Sequence, residues 1–169
     1  MPKNLGFTLI ELLVSIAIIG IVFGVIITSS VGIQRSARDT QRQSDLKTIQ
    51  AALQYYYADL GYFPSPVYTF PASGTFTNCD GIDPTVPSCT ADRTYISKIP
   101  SDPVSTNPAY CYKAFTKNDL VTACDNNLSG VGRCQYYVLC AKLEGQYSQD
   151  SDCNNVCGNS SFNLKLSPL

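Results

Sequence analysis

Residues 7–27 form a run of about 21 almost wholly apolar positions, and the one charged residue within it is Glu11. A helix over this run, at about 1.5 Å per residue, spans about 32 Å, against a bilayer core of about 30 Å. A secretory signal peptide fits poorly, because the run is longer than an ordinary apolar region and no A-x-A-like site follows it before the polar stretch. Nor would such a peptide carry a carboxylate, which costs about 2.5–3.5 kcal/mol at the bilayer centre and less near an end. Glu11 asks for a partner. Gly20 and Gly24 stand one helical turn apart in the run, a small-xxx-small spacing that permits close helix approach or local melting.

Beyond Thr28 the chain turns amphipathic without a stop signal. Residues 31–57 hold no proline and a single glycine, Gly32, and mix Arg35, Arg38, Asp39, Arg42, Asp45 and Lys47. Leu46, Ile49, Leu53, Tyr56 and Leu60 recur every three or four residues, the stripe of a helix with one buried face. One continuous helix over 7–58 is expected, nearly 80 Å long at about 1.5 Å per residue. Its first part, 7–27, would be a membrane or filament-core segment and its second part, 28–58, amphipathic. Gly61, Pro64 and Pro66 then end it.

All eight cysteines (Cys79, Cys89, Cys111, Cys124, Cys134, Cys140, Cys153 and Cys157) lie beyond residue 78. An even number confined to one half indicates a disulfide-stapled domain, residues 59–169, in an oxidising compartment. The chain has no histidine, which removes the commonest general base and zinc ligand. A four-cysteine zinc site would need two knuckles, and only Cys153 and Cys157 are close enough to resemble one, so no metal site is expected. Two stretches rich in aromatic and β-branched residues, 109–115 and 134–143, read as strands, with a third near 162–166. The expected fold is α+β: a long N-terminal helix whose C-terminal half packs on a small antiparallel sheet with disulfide-stapled loops. A local pairing scheme is preferred, Cys79–Cys89, Cys124–Cys134, Cys111–Cys140 and Cys153–Cys157, with each bridge adding about 2–4 kcal/mol.

The segment Gly6-Phe7-Thr8-Leu9-Ile10-Glu11-Leu12-Leu13-Val14 resembles the prepilin motif shared by type IV pilins and the pseudopilins of type II secretion. Asp59-Leu60-Gly61-Tyr62-Phe63-Pro64, Ile99-Pro100-Ser101-Asp102-Pro103 and Tyr110-Cys111-Tyr112 resemble later landmarks of the major pseudopilin and its pilin relatives. The resemblance implies a leader, residues 1–6, held in the cytoplasm and cut between Gly6 and Phe7 by a membrane prepilin peptidase, which then methylates the new Phe7 amine. It also implies that Glu11 of an incoming subunit meets the Phe7 amine of a neighbour and sets axial register. Opposite charges about 4 Å apart attract by about 4 kcal/mol at an effective dielectric of 20. A pair within one subunit, or a snorkelling carboxylate, is the plainer alternative.

Three uses of such a chain stay open at this stage. It could be a structural subunit polymerising into a surface type IV pilus for adhesion, motility or DNA uptake. It could be a pseudopilin of a periplasmic secretion filament, or a monomeric binding domain anchored by its helix. The implied partners are copies of itself, the peptidase and assembly machinery, and the inner membrane before assembly; the implied place is a single-pass precursor and then a cell-surface filament. No catalytic constellation is present, so an enzyme is not expected. Residues 150–155 faintly resemble a calcium loop but lack the glycine at its sixth position and the glutamate at its twelfth, so a solvated loop is preferred and no cofactor is expected. From Ala58 onward seven basic residues face ten acidic ones, net −3, which argues against a basic surface for DNA.

Overall fold

A computed structural model describes residues 6–65, 74–79, 90–104, 110–124, 126, 132–145, 147–158 and 162–168, with the side chains of 25–31 outside the described set. The chain divides into two compact units, Met1–Ala37 and Arg38–Leu169. Helix α1, Leu9–Leu60, runs through both. It ends where the sequence places the stop: Gly61 adopts φ 76°, a left-handed conformation that costs glycine no Cβ clash. The Gly61 amide donates to the Tyr57 carbonyl at 2.7 Å and closes the last turn.

In the second unit, α1 buries the expected stripe. Leu46, Ile49, Leu53 and Tyr56 are fully buried, and Leu60 packs against the same core half-buried. Burying each aliphatic side chain contributes about 1.5–3 kcal/mol. The stripe meets a three-stranded antiparallel sheet of β3 (Cys111–Phe115), β4 (Tyr136–Ala141) and β5 (Leu164–Leu166), with β4 in the centre. Register pairs Cys111 with Cys140 and Phe115 with Tyr136, then Leu139 with Leu166. Strand alternation sends Tyr112, Ala114, Tyr137, Leu139 and Ala141 to the α1 side, where they join its core cluster. The expected helix-on-sheet α+β architecture is present.

Two elements are additions to that expectation. A two-stranded sheet, β1 (Phe76–Thr77) and β2 (Thr94–Ile96), sets Phe76 against Tyr56 with ring centroids 5.3 Å apart, and Tyr95 edge-on to Tyr56 at 5.6 Å. A second helix, α2 (Ser151–Cys157), occupies the position read as a loop. Asp150 caps it by accepting from the Asp152 and Cys153 amides, and Gly158, at φ 66°, ends it. The residues that look like a calcium loop are therefore a capped helix start, and Asp152 pairs with Lys165 at 2.6 Å.

Helix α2 covers the face of the sheet opposite α1. Val138, Cys140, Phe115, Cys153 and Phe162 form a second core there, so every residue from Tyr137 to Ala141 is buried. This corrects two of the expected disulfides. Cys111 joins Cys157 and Cys140 joins Cys153, with Cα separations of 6.2 and 5.9 Å, in place of Cys111–Cys140 and Cys153–Cys157. The reason is helical spacing. Positions 153 and 157 lie one turn apart on one face of α2, and both side chains point down onto the adjacent strand cysteines. Cys124–Cys134 forms as expected, with a Cα separation of 5.1 Å. Cys79 is disulfide-bonded too, and its expected partner Cys89 lies outside the described residues.

Candidate functional site

The N-terminal unit presents a helix whose apolar side chains are uncovered all round. Leu9, Ile10, Leu12, Leu13, Val14, Ile16, Ile18, Ile19, Ile21, Val22 and Phe23 are all exposed, and Phe7 just before them is 88% exposed. A Cβ built on Gly20 or Gly24 would meet nothing within 4 Å. Among the described residues nothing therefore requires glycine at either place, where each costs about 0.5–1 kcal/mol against alanine. Among the described residues no helix is long and apolar enough to cross a membrane; the run expected to do so, 7–27, extends into residues whose side chains are not described.

At the head of this helix Thr8 and Glu11 form a reciprocal cap. The Thr8 amide and hydroxyl donate to Glu11 Oε2 at 2.9 and 2.7 Å, and the Glu11 amide donates to Thr8 Oγ1 at 3.4 Å. This is a capping box, in which a Thr at the N-cap and a Glu three residues on satisfy each other's orphan amides. It fixes why the helix begins at Leu9. The signal, T-x-x-E at the start of an apolar run, stands in the sequence at Thr8-Leu9-Ile10-Glu11. Both Thr8 bonds fall on Oε2, which leaves Glu11 Oε1 open among the described residues. The bonds that fix Glu11 are those to Thr8; the Phe7 nitrogen is here an ordinary peptide nitrogen after Gly6.

In the second unit an ion cluster fastens residues 38–42 of α1. Arg42 is fully buried and holds Asp102 with two bonds, Nε to Oδ2 at 2.8 Å and Nη2 to Oδ1 at 3.0 Å. It also reaches Asp39 Oδ1 and Glu144 Oε1, each at 2.9 Å. Arg38 Nε donates to Glu144 Oε1 at 2.7 Å. The Asp39 carboxylate accepts from the backbone amides of Glu144 and Gly145 at 2.8 and 2.9 Å. Asp102, chiefly, keeps the Arg42 proton on and its pKa raised despite the burial. Hydrogen bonding from Arg38 holds the Glu144 carboxyl down to about 2; desolvation opposes this and Arg42 adds to it. The cluster ties α1 to two loops of the domain.

Sequence patterning begins the buried stripe at Leu46, whereas residues 39, 42, 46, 49, 53 and 56 are all buried. The alternating spacing of three and four continues through Asp39 and Arg42, and their charge hides it. Among the described residues no group of three or more His, Cys, Asp or Glu could hold a metal.

Residues 1–27 match the family described as the prokaryotic N-terminal methylation motif. The type II secretion system core protein G of Escherichia coli K12 is 28% identical over 109 residues, 60% of this chain and 67% of that protein. Its counterpart in Pectobacterium carotovorum is 29% identical over 105 residues, 62% of this chain and 65% of its own length. The type IV major pilin protein PilA of Myxococcus xanthus DK1622 is 33% identical over 58 residues, 34% of this chain and 26% of that protein. The chain thus spans about two thirds of the secretion proteins and about a quarter of the pilin. No solved structure matches it. The N-terminal segment thus carries the methylation motif on a capped apolar helix, and the chain is similar to both a secretion core protein and a major pilin.

Proposed function

We propose that this chain is a structural subunit that polymerises through its apolar N-terminal helix into a type IV pilus serving adhesion, motility or DNA uptake. The observation that carries this reading is the uncovered apolar segment 7–23, helical from Leu9, with a single carboxylate, Glu11, at its head. So much apolar surface is stable only in a membrane or packed against its like. Before assembly the helix sits in the inner membrane with residues 1–6 in the cytoplasm. Prepilin peptidase cuts between Gly6 and Phe7 and the Phe7 amine is methylated. The capping box then holds Glu11 in the first turn with Oε1 free for the Phe7 amine of the neighbouring subunit. Gly20 and Gly24 let adjacent helices approach. The cysteine-bridged domain faces outward, where its cross-links resist the extracellular environment.

Electron microscopy of filaments sheared from expressing cells tests this. Micrometre-long fibres containing this chain are expected, and none from Glu11→Leu. Fibres from Glu11→Leu as abundant as wild type would remove the assembly role. A second reading, a pseudopilin of a type II secretion filament, is favoured by the alignments to the secretion core proteins, which run over 109 and 105 residues against 58 for the pilin. Loss of protein secretion on deletion, with no long surface fibres, selects it.

A further inference from the structure

Helix α2 is held to the sheet by two bridges whose four cysteines form one cluster. Cys111 and Cys140 are register partners on β3 and β4, and they are tied to Cys157 and Cys153 respectively, one turn apart on α2. The bridges differ in exposure. Cys140 and Cys153 are both fully buried, whereas Cys111 and Cys157 are only half-buried. Cys124 and Cys134 are buried as well. Thiol–disulfide exchange requires the attacking thiolate to reach a sulfur, so access decides which bridge opens first. We infer that Cys111–Cys157 is a redox-sensitive lock on α2, and that opening it lets Cys111 open the buried Cys140–Cys153 bridge from within.

The first step uses an external dithiol. One of its thiolates attacks one sulfur of Cys111–Cys157, forming a mixed disulfide with it and expelling the other cysteine as a thiolate. Its second thiolate then attacks the mixed disulfide, closing the oxidised dithiol and releasing the remaining cysteine, and the two cysteine thiolates take up the two protons the dithiol gave up. Two electrons pass to the protein, and Cys111 and Cys157 become thiols. In the second step the Cys111 thiolate attacks Cys140 Sγ. The Cys140–Cys153 bond breaks, Cys111–Cys140 forms, and Cys153 leaves as a thiolate that takes a proton from solvent to replace the one Cys111 gave up. No electrons change hands in that step.

Geometry makes the two halves of the outer bridge unequal. Directly opposite residues of antiparallel strands have Cβ atoms about 4.5–5.5 Å apart, whose near end meets the roughly 3.5–4.5 Å span of a disulfide. Cys157 has no comparable path, since Cβ atoms four residues apart on a helix stand about 5–6 Å from each other. After the relay the sheet is cross-linked on itself. Helix α2 is then held without a covalent link to the sheet, by the Asp152–Lys165 pair, the Asp150 amide on the Phe162 carbonyl, and packing.

The test uses the full chain in detergent micelles, limiting dithiothreitol, alkylation of free thiols at timed points, and peptide mapping. Cys111 and Cys157 are expected to label about tenfold or more ahead of Cys124 and Cys134. A Cys111–Cys140 linked peptide, with Cys153 and Cys157 alkylated, then follows. Cys157→Ser leaves Cys111 unpaired and is expected to yield Cys111–Cys140 and a free Cys153 without any reductant. Cys111→Ser removes the attacking thiol and is expected to keep Cys140–Cys153 closed about tenfold longer than wild type under dithiothreitol, although α2 has lost the same bridge. Simple loosening of α2 would instead speed opening equally in both variants, and that result overturns the inference. So does simultaneous labelling of all four cysteines in the wild-type chain, which decides the matter alone if a serine variant does not fold.

Discussion

Replacing Arg42 with methionine keeps a long apolar stem in the buried slot and deletes only the guanidinium. Four contacts go: two to Asp102, one to Asp39 and one to Glu144. The cluster of two guanidinia and three carboxylates carries a net charge of −1 (2 − 3), which becomes −2 without Arg42. Breaking a buried pair by removing one partner costs about 3–5 kcal/mol. The survivors temper this: Asp39 keeps two backbone amides, Asp102 keeps the Val104 amide at 2.8 Å, and Glu144 keeps Arg38. A loss of about 3 kcal/mol is therefore expected, the low end of that range. With a urea slope of about 2 kcal/mol per molar, the unfolding midpoint of the second unit falls by about 1.5 M. Urea titration of the full chain in micelles, followed by tyrosine fluorescence, measures it. Arg38→Met is the control, because that partly exposed side chain pairs with Glu144 at the cluster's edge and should cost clearly less than Arg42→Met. Adding Asp102→Asn to Arg42→Met should recover about 1–3 kcal/mol, since it removes the charge left unpaired. An Arg42→Met loss below about 1 kcal/mol, or one equal to that of Arg38→Met, would refute the idea that this cluster clamps the helix.

Glu144 makes the second unit acid-sensitive. Its carboxyl is held down to about 2 from an ordinary 4.5, so its contribution is fully present above pH 4.5 and is lost as pH falls towards 2. Solvent screening leaves that contribution on the order of 1–2 kcal/mol, and Glu144→Gln should flatten urea stability measured across this window. Leu53→Ala should cost about 2–5 kcal/mol, because Leu53 is fully buried between helix and sheet; denaturation of the same full-length chain checks it. Asp150→Ala removes the α2 cap, worth about 1 kcal/mol. Because α2 is tied down twice, the change should show as faster hydrogen exchange at the Asp152 and Cys153 amides and barely move the global midpoint. Thr8→Ala should likewise loosen the first turn of α1 by about 1 kcal/mol, visible as faster exchange at the Glu11 amide.

What the sequence revealed and what it hid follow from the length scale of each signal. Helix α1 carries a stripe repeated over several turns and a glycine that must be left-handed at its end, so both its existence and its stop were readable. Strands β3 and β4 are rich in aromatic and apolar residues over five and six positions, long enough for that composition to stand out from the turn formers around them. Strands β1 and β2 have two and three residues, too few for any period, and exist because Phe76 and Tyr95 pack on Tyr56. Helix α2 was hidden by its composition. Ser, Asp and Asn favour turns in isolation and make up four of the seven residues of α2, which the Asp150 cap and the two bridges hold helical. The disulfide pairing went astray for the same reason: proximity in sequence suggests a pinch, while helical spacing aims both cysteines at the sheet. At the N-terminus the Thr8–Glu11 cap is written as T-x-x-E, but a carboxylate in an apolar run points first to a distant partner, which hides an ordinary cap. Arg42 was overlooked because a charged residue in an amphipathic helix is usually solvated.

The Cys124–Cys134 bridge closes an excursion between β3 and β4 at the rim of the sheet. Both faces of the sheet are already committed to α1 and α2, so substitutions on the strands disturb a core. Between these two cysteines, by contrast, the anchor points are fixed by a covalent bond, and doubling a loop's length costs only about 0.6 kcal/mol. If the chain forms a fibre, each subunit would repeat this excursion along its length. Loop length can then change between these anchors at little cost, provided Asn126 is kept, since its side-chain amide holds the Phe63 carbonyl and the Cys134 amide.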